Sequence, residues 1–136
     1  MKRKDAREAV FSVVFSGEFL AEKTPSELWR EAVDDGRYTS DAYAEALTQH
    51  LTEHSDEILE AMQTYAVGWK INRISKVSRT ILKIAICEMF YMPDIPLLVS
   101  VNEGVELSKK YDDEKTYGFV NGVLNAASKD ERATEQ

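Results

Sequence analysis

The sequence predicts an all-α fold of about seven helices, and three observations carry that expectation. Apolar residues recur at three- and four-residue spacings through most of the chain, and no stretch shows clean period-two alternation. Only three prolines and six glycines stand among 136 residues, so long helices meet few breakers. Start and stop signals also fall where the periodic stretches begin and end. A chain of this length can bury roughly two thirds of its unfolded surface, enough for one cored domain. We place that domain at residues 1–128, with a polar tail over 129–136 that is expected to fray.

The first helix is predicted over Ala6 to Leu20. Val10, Val13, Val14 and Gly17 lie on one side, and Phe11, Phe15 and Phe19 recur every four residues on a neighbouring line. Thr24-Pro25-Ser26-Glu27 supplies a capping threonine, a proline at the first helical position and a capping-box glutamate. That helix is expected to run to about Asp34, before Gly36. Ser40-Asp41 opens a third helix carrying Tyr43, Ala44, Leu47 and Leu51, and a fourth carries Ile58, Leu59, Met62 and Ala66. Lys76 to Met92 is the strongest helical pattern, with Val77, Ile81, Ile84 and Ala85 on a broad apolar face stopped by Pro93 and Pro96. Ser100-Val101-Asn102-Glu103 fits a second capping box, which would start a helix through Val105 and Leu107. A last helix spans about Thr116 to Ser128, with Phe119, Val120, Val123 and Leu124 inward. Short connections imply antiparallel neighbours.

Hydrophobic residues make up 43% and charged residues 30%, ordinary for a globular protein. The net charge of -7 argues against a nucleic-acid partner, but its distribution does not. Between Glu18 and Glu60 the only bases are Lys23, Arg30 and Arg37. Between Ala61 and Cys87 there is no acid, while Lys70, Arg73, Lys76, Arg79 and Lys83 all fall there. On a helix, Lys76, Arg79 and Lys83 share a stripe. Lys2, Arg3, Lys4 and Arg7 form a second basic cluster. Such patches can meet phosphates on an acidic protein, although charge runs are more often simply solvated helix faces.

Little in the chain reads as catalytic. Cys87, the single cysteine, lies in an apolar run and is expected to be a buried small hydrophobe, which suits a reducing compartment. Val10 to Phe15 is too short for a signal sequence and no stretch approaches membrane-spanning length, so the cytoplasm is expected. His50-Leu51-Thr52-Glu53-His54 matches H-x-x-E-H, whose spacing can bring two imidazoles to one metal. These are the only histidines, and neighbouring acids suggest a solvated face, so no metal site is expected. There is no G-x-S-x-G elbow, Gly-rich phosphate loop or C-x-x-C pair, and we expect neither enzymatic activity nor a cofactor.

The second half of the chain carries a further pattern. Trp69-Lys70-Ile71-Asn72-Arg73-Ile74 is followed by Val77-Ser78-Arg79-Thr80-Ile81-Leu82-Lys83-Ile84-Ala85 and Glu88-Met89. Then come Ile95-Pro96, Val101-Asn102-Glu103, Val105-Glu106-Leu107 and Phe119-Val120-Asn121-Gly122-Val123-Leu124. In order and spacing this series resembles the NusB family from about Trp69 to Ala127, and Arg7-Glu8-Ala9-Val10 with Phe15 resembles the family's opening helix. Ala21 to Gly68 matches only in helical character.

The resemblance implies two small helical bundles and a transcription antitermination factor. Its partners would be boxA single-stranded RNA, the ribosomal small-subunit protein that acts as NusE, and the transcription elongation complex. It places Lys2, Arg3, Lys4, Arg7, Arg79 and Phe119 at RNA, the aromatic stacking on a base. Phe15, Asn72, Arg73, Lys76 and Ser78 would meet the protein partner. For Phe15 and Phe119 core packing is an equal alternative, and Asn121 and Gly122 are expected to be structural, the glycine permitting close helix packing. Ser78 stands where the family often carries an acid, and Cys87 where tyrosine is frequent.

Two other readings compete. One is a helical module that kept the fold but binds protein, a partner or a second copy of itself. The other is a fragment of a ribosomal RNA cytosine methyltransferase with a NusB-like domain. The sequence offers no α/β cofactor domain to support the latter.

Overall fold

Seven α-helices and one short 3-10 turn run through the described residues of the computed structural model, which are 1–17 and 22–136. They are α1 (Arg3–Gly17), α2 (Pro25–Asp34), α3 (Ala42–Glu53), α4 (Ser55–Tyr65), the turn Ile71–Arg73, α5 (Lys76–Tyr91), α6 (Leu97–Tyr111) and α7 (Tyr117–Ala127). No strand occurs among these residues. The predicted end of the first helix, including Phe19 and Leu20, lies outside the described residues.

Helices α1, α2 and α3 pack on one another, while α4, α6 and α7 gather with α5 into a second group. Helix α5 joins the two groups, touching α1 and α3 on one side and α4, α6 and α7 on the other. Its composition explains that position. From Ile81 to Phe90 only Lys83 escapes full burial, and a helix that is apolar around most of its circumference must be covered on most of it. Cys87 is buried as expected, and burial pushes its thiol well above the ordinary range.

Several local signals perform as read. Thr24 and Glu27 form the reciprocal capping box with Pro25 in the first turn. Asp41 caps α3 by accepting from the Ala44 amide at 3.0 Å. Gly36, at φ +78°, closes α2 as the amides of Gly36 and Arg37 turn back to the carbonyls of Val33 and Ala32.

The second capping box does not form. Pro96 stands at the N-cap and α6 starts at Leu97, so Ser100 is already inside the helix and buried. Its hydroxyl donates to Glu88 at 2.8 Å instead of capping.

The polar tail folds back onto the end of α5, and the reason for that contact lies in α5. The Met89 carbonyl would bond to the amide of residue 93, but Pro93 has no N–H. Thr134 fills the vacancy, its amide donating to Met89 at 3.1 Å, and Gln136 donates to the Pro93 carbonyl at 2.8 Å. The Glu135 carboxylate accepts from the Leu97 amide at 2.9 Å, satisfying one of the unpaired donors that open α6. Arg132 lies over the Phe90 ring and pairs with Asp130, holding that carboxyl well below the usual carboxylate range.

Close helix approach belongs to other glycines than Gly122. A Cβ on Gly104 would lie 2.6 Å from Leu124 Cδ1, and one on Gly17 would lie 2.1 Å from Leu28 Cδ1. A Cβ on Gly122 would meet nothing within 4 Å beyond its own helix, and both Asn121 and Gly122 are exposed. Gly122→Ala is therefore expected to stabilise the protein by about 0.5–1 kcal/mol, the usual gain for removing a mid-helix glycine. Thermal denaturation should show a rise of a few degrees, and a fall would mean that this surface is packed.

Candidate nucleic-acid interface

The turn between α4 and α5 builds an open groove. Gly68, at φ +82°, ends the α4 segment, and the next residue, Trp69, is left 52% exposed. Beyond the 3-10 turn, Ile74 is buried and Ser75 caps α5 by accepting from the Ser78 amide at 3.0 Å. Asp112, just past α6, accepts from the hydroxyls of Ser75 at 2.9 Å and Ser78 at 2.8 Å. These bonds tie the start of α5 to the end of α6. Phe119, in the first turn of α7, meets the Trp69 ring with centroids 5.3 Å apart and planes tilted by 56°. The resulting groove of about 330 Å³ is also lined by Ile74, Arg73 and Lys115. An apolar wall with cations beside it suits a planar, anionic chain such as a nucleotide strand.

This groove unites three sequence-predicted residues, Arg73, Ser78 and Phe119. Ser78 is buried at the base of the groove, its hydroxyl donating to Asp112. Asn72 and Lys76 are exposed nearby on the turn and on the first residue of α5. Arg79 is half-buried, and its Nε is shielded without a hydrogen-bond partner. Phe15 is half-buried against the core and stacks on Phe11 at 5.8 Å.

The N-terminal cluster occupies a different surface. Lys2, Arg3 and Lys4 are exposed, with the Arg3 guanidinium 4.7 Å above the Tyr43 ring. Lys4 lines a cleft of about 340 Å³ shared with α6, where Glu8, Glu103 and Glu106 face Lys109 and Lys110. Hydrogen bonds from Lys110 and then Tyr111 hold the Glu8 carboxyl below its ordinary range.

Arg7 does not belong with these cations. It is 3% exposed, and its Nε and Nη2 donate to the two carboxylate oxygens of Glu88 at 2.7 and 3.3 Å. Tyr43 also donates to this carboxylate, as does Ser100. Burial opposes the charge on Arg7, but Glu88 and the other polar neighbours overcome it and hold the guanidinium above its ordinary value. The Tyr43 phenol is pushed far upward by burial and by Glu88. The arginine expected at RNA is thus an internal link between α1, α3, α5 and α6.

Comparison with known proteins decides the ancestry of this arrangement, because residues 2–129 match the NusB family. The chain belongs to the NusB family. It is 38% identical over 130 residues to the transcription antitermination protein NusB of Bacillus subtilis, covering 96% of this chain and 97% of that one. The structure of T. maritima NusB superimposes with a TM-score of 0.85 at 30% identity, covering 96% of this chain and 92% of that one. A crystal structure of antitermination factors NusB and NusE in complex with double-stranded RNA gives a TM-score of 0.80 at 30% identity, over 95% and 98% of the two chains. The NusB-like all-α architecture of two helical groups is therefore established. No helix among the described residues is long and apolar enough to cross a membrane.

Two residues of the groove escaped the site prediction. Trp69 entered only as part of the NusB pattern, although an exposed tryptophan just after a turn glycine is itself a signal for a binding surface. Lys115 carried no signal, because only the fold brings residue 115 beside residues 69 and 73.

Proposed function

We propose that this chain binds a boxA-type single-stranded RNA together with the ribosomal small-subunit protein that acts as NusE. In that assembly it supports read-through by RNA polymerase in ribosomal RNA operons. The observation that carries this reading is the Trp69–Phe119 pair opening beside Arg73 and Lys115 in a chain of the NusB family. An unpaired base can stack in that groove, whereas a base inside a duplex presents only its edges. Lys2, Arg3, Lys4 and Arg79 hold phosphates along the strand, while Phe15, Asn72, Arg73, Lys76 and Ser78 form the side that meets the partner protein and the elongation complex. The related complex with NusE and RNA supports both classes of partner.

The test is fluorescence anisotropy with labelled boxA RNA, a scrambled strand and a duplex of the same sequence, with and without the partner protein. Preferential binding of the boxA strand supports the proposal. Equal, weak binding of all three transfers the function to protein interaction. Salt dependence adds a second check. Replacing Lys2, Arg3 and Lys4 by alanine should flatten the slope of log K against log salt by about 2, since each single-strand phosphate contact contributes roughly 0.7. All three are exposed, so circular dichroism should be unchanged. An unchanged slope would place the phosphate contacts elsewhere.

A further inference from the structure

We propose that His50, Glu53 and His54 form a binding site for a divalent transition-metal ion of the zinc type. The chain has only two histidines, and the fold brings Glu53, from within the same motif, beside both of them. Helical spacing brings all three residues to one face of the last turn of α3. One ligand atom from each lies within 4.8 Å of the others. Ligands around tetrahedral zinc stand about 3.3–3.5 Å apart, so side-chain rotations of an ångström or so complete the contact. The Glu53 and His54 side chains are 51% and 31% exposed, which leaves them room to move and admits water to the remaining coordination positions.

The surroundings orient these groups without occupying them. Gln49 Nε2 donates to Glu53 Oε1 at 2.9 Å, so Oε2 is the oxygen turned toward His54 Nε2, 4.0 Å away. The His54 ring stacks on Tyr91 at 3.8 Å and 9°, and the His50 ring lies nearly parallel, 5.8 Å from His54 and 5.9 Å from Tyr91. Stacking holds both rings by their faces and leaves the in-plane nitrogens for coordination. His50 Nδ1 is shielded from solvent with no hydrogen-bond partner. A nitrogen that has lost water and gained nothing is destabilising until some partner is supplied, and an ion supplies one.

Charge favours a cation here. Helix α3 contains no lysine or arginine, and the first turn of α4 just beyond it carries Asp56 and Glu57. Glu57 and Glu60 act on the adjacent Tyr91, and Arg132, the opposing cation, is engaged with Asp130. Two imidazoles with one carboxylate suit zinc, cobalt, nickel or copper, whereas calcium and magnesium require an all-oxygen set. Here Glu53 takes the place of a third ligand beside the two imidazoles. His54 also ends α3 and opens α4, its amide donating to the His50 carbonyl and its own carbonyl accepting from Ile58. An ion therefore clamps that corner. From Ser78 to Tyr91 helix α5 advances about 20 Å, which keeps the ion clear of the RNA groove.

Isothermal titration of untagged, chelator-treated protein with zinc chloride should show one ion per chain, with a zinc-dependent rise in melting temperature. Cobalt should give the visible absorption of a low-coordinate nitrogen–oxygen site. Gln49→Ala, which removes only the orienting bond, should weaken zinc about tenfold, in the range found for outer-shell partners. His50→Ala and His54→Ala should each weaken it more than the roughly hundredfold upper end of that range. Because His54 also packs on Tyr91, the Glu53→Gln variant, at the more exposed ligand, serves as the second check. It should lose zinc affinity with an unchanged circular dichroism spectrum. Absence of stoichiometric binding by the wild type would overturn the proposal. So would zinc affinity retained in a folded His50→Ala/His54→Ala double variant, since the ion would then rest on surface carboxylates.

Discussion

Glu88→Ala is expected to remove about 3–5 kcal/mol of folding stability, because it leaves the Arg7 guanidinium buried and unpaired. Both partners are almost fully enclosed, Arg7 at 3% and Glu88 at 0% exposure. The carboxylate accepts from Arg7, Tyr43 and Ser100, so the truncation orphans donors on three helices at once. Against a typical total of about 5–15 kcal/mol, the loss is a large fraction of what holds the domain folded. Urea denaturation measures it directly. The pair is not intrinsically stabilising, since desolvation offsets much of its attraction. Replacing both partners with Arg7→Met and Glu88→Leu is therefore expected to recover most of the loss. A Glu88→Ala loss below about 1 kcal/mol would mean that Arg7 swings out to water when its partner is removed. What the network gives the fold is placement. It spans α1, α3, α5 and α6, and so fixes the first helical group against the second through the ends of four side chains.

That network also marks where the sequence is legible and where its charge pattern misleads. The all-α class and most helix positions follow from periodicity and caps, because a 3.6-residue apolar stripe has few other ways to be buried. Charge groups Arg7 with Lys2, Arg3 and Lys4, but its spacing sets it apart. Val10, Phe11 and Val14 stand three, four and seven residues after it, so Arg7 shares their inward face. Glu88 likewise ends the long acid-free stretch inside an apolar run. A base and an acid each set into an apolar stripe are the visible signature of a buried pair. Ser100 is harder, because its S-x-x-E pattern is real and only tertiary structure shows that Glu88 needs the hydroxyl. The tail is harder still. Its composition reads as solvated, and its contact with α5 uses a carbonyl left unpaired by Pro93, some forty residues earlier in the chain. The groove was half legible, because its aromatic and basic residues come from separate segments that meet only after α5, α6 and α7 have packed.

Truncating the groove's aromatic rings is the second large effect. Trp69→Ala and Phe119→Ala are each expected to weaken boxA RNA by about 1–3 kcal/mol, roughly 5- to 150-fold in Kd, the range for losing one base–aromatic stack. Trp69 is half exposed, so its truncation should leave the fold intact. Phe119 also packs on the core, and its alanine variant mixes lost stacking with lost stability. Phe119→Leu separates the two, since it keeps most of the apolar volume and removes the π face. If one base lies against both rings, the double variant should lose less than the sum of the single losses. Additive losses would mean that each ring carries its own base. Stacking is largely indifferent to ionic strength, so these variants should shift log K by the same amount at every salt concentration. The Lys2, Arg3 and Lys4 variant should instead change the slope. Retention of full affinity in both Trp69→Ala and Phe119→Leu would exclude the groove as the RNA site and leave it to the protein partner.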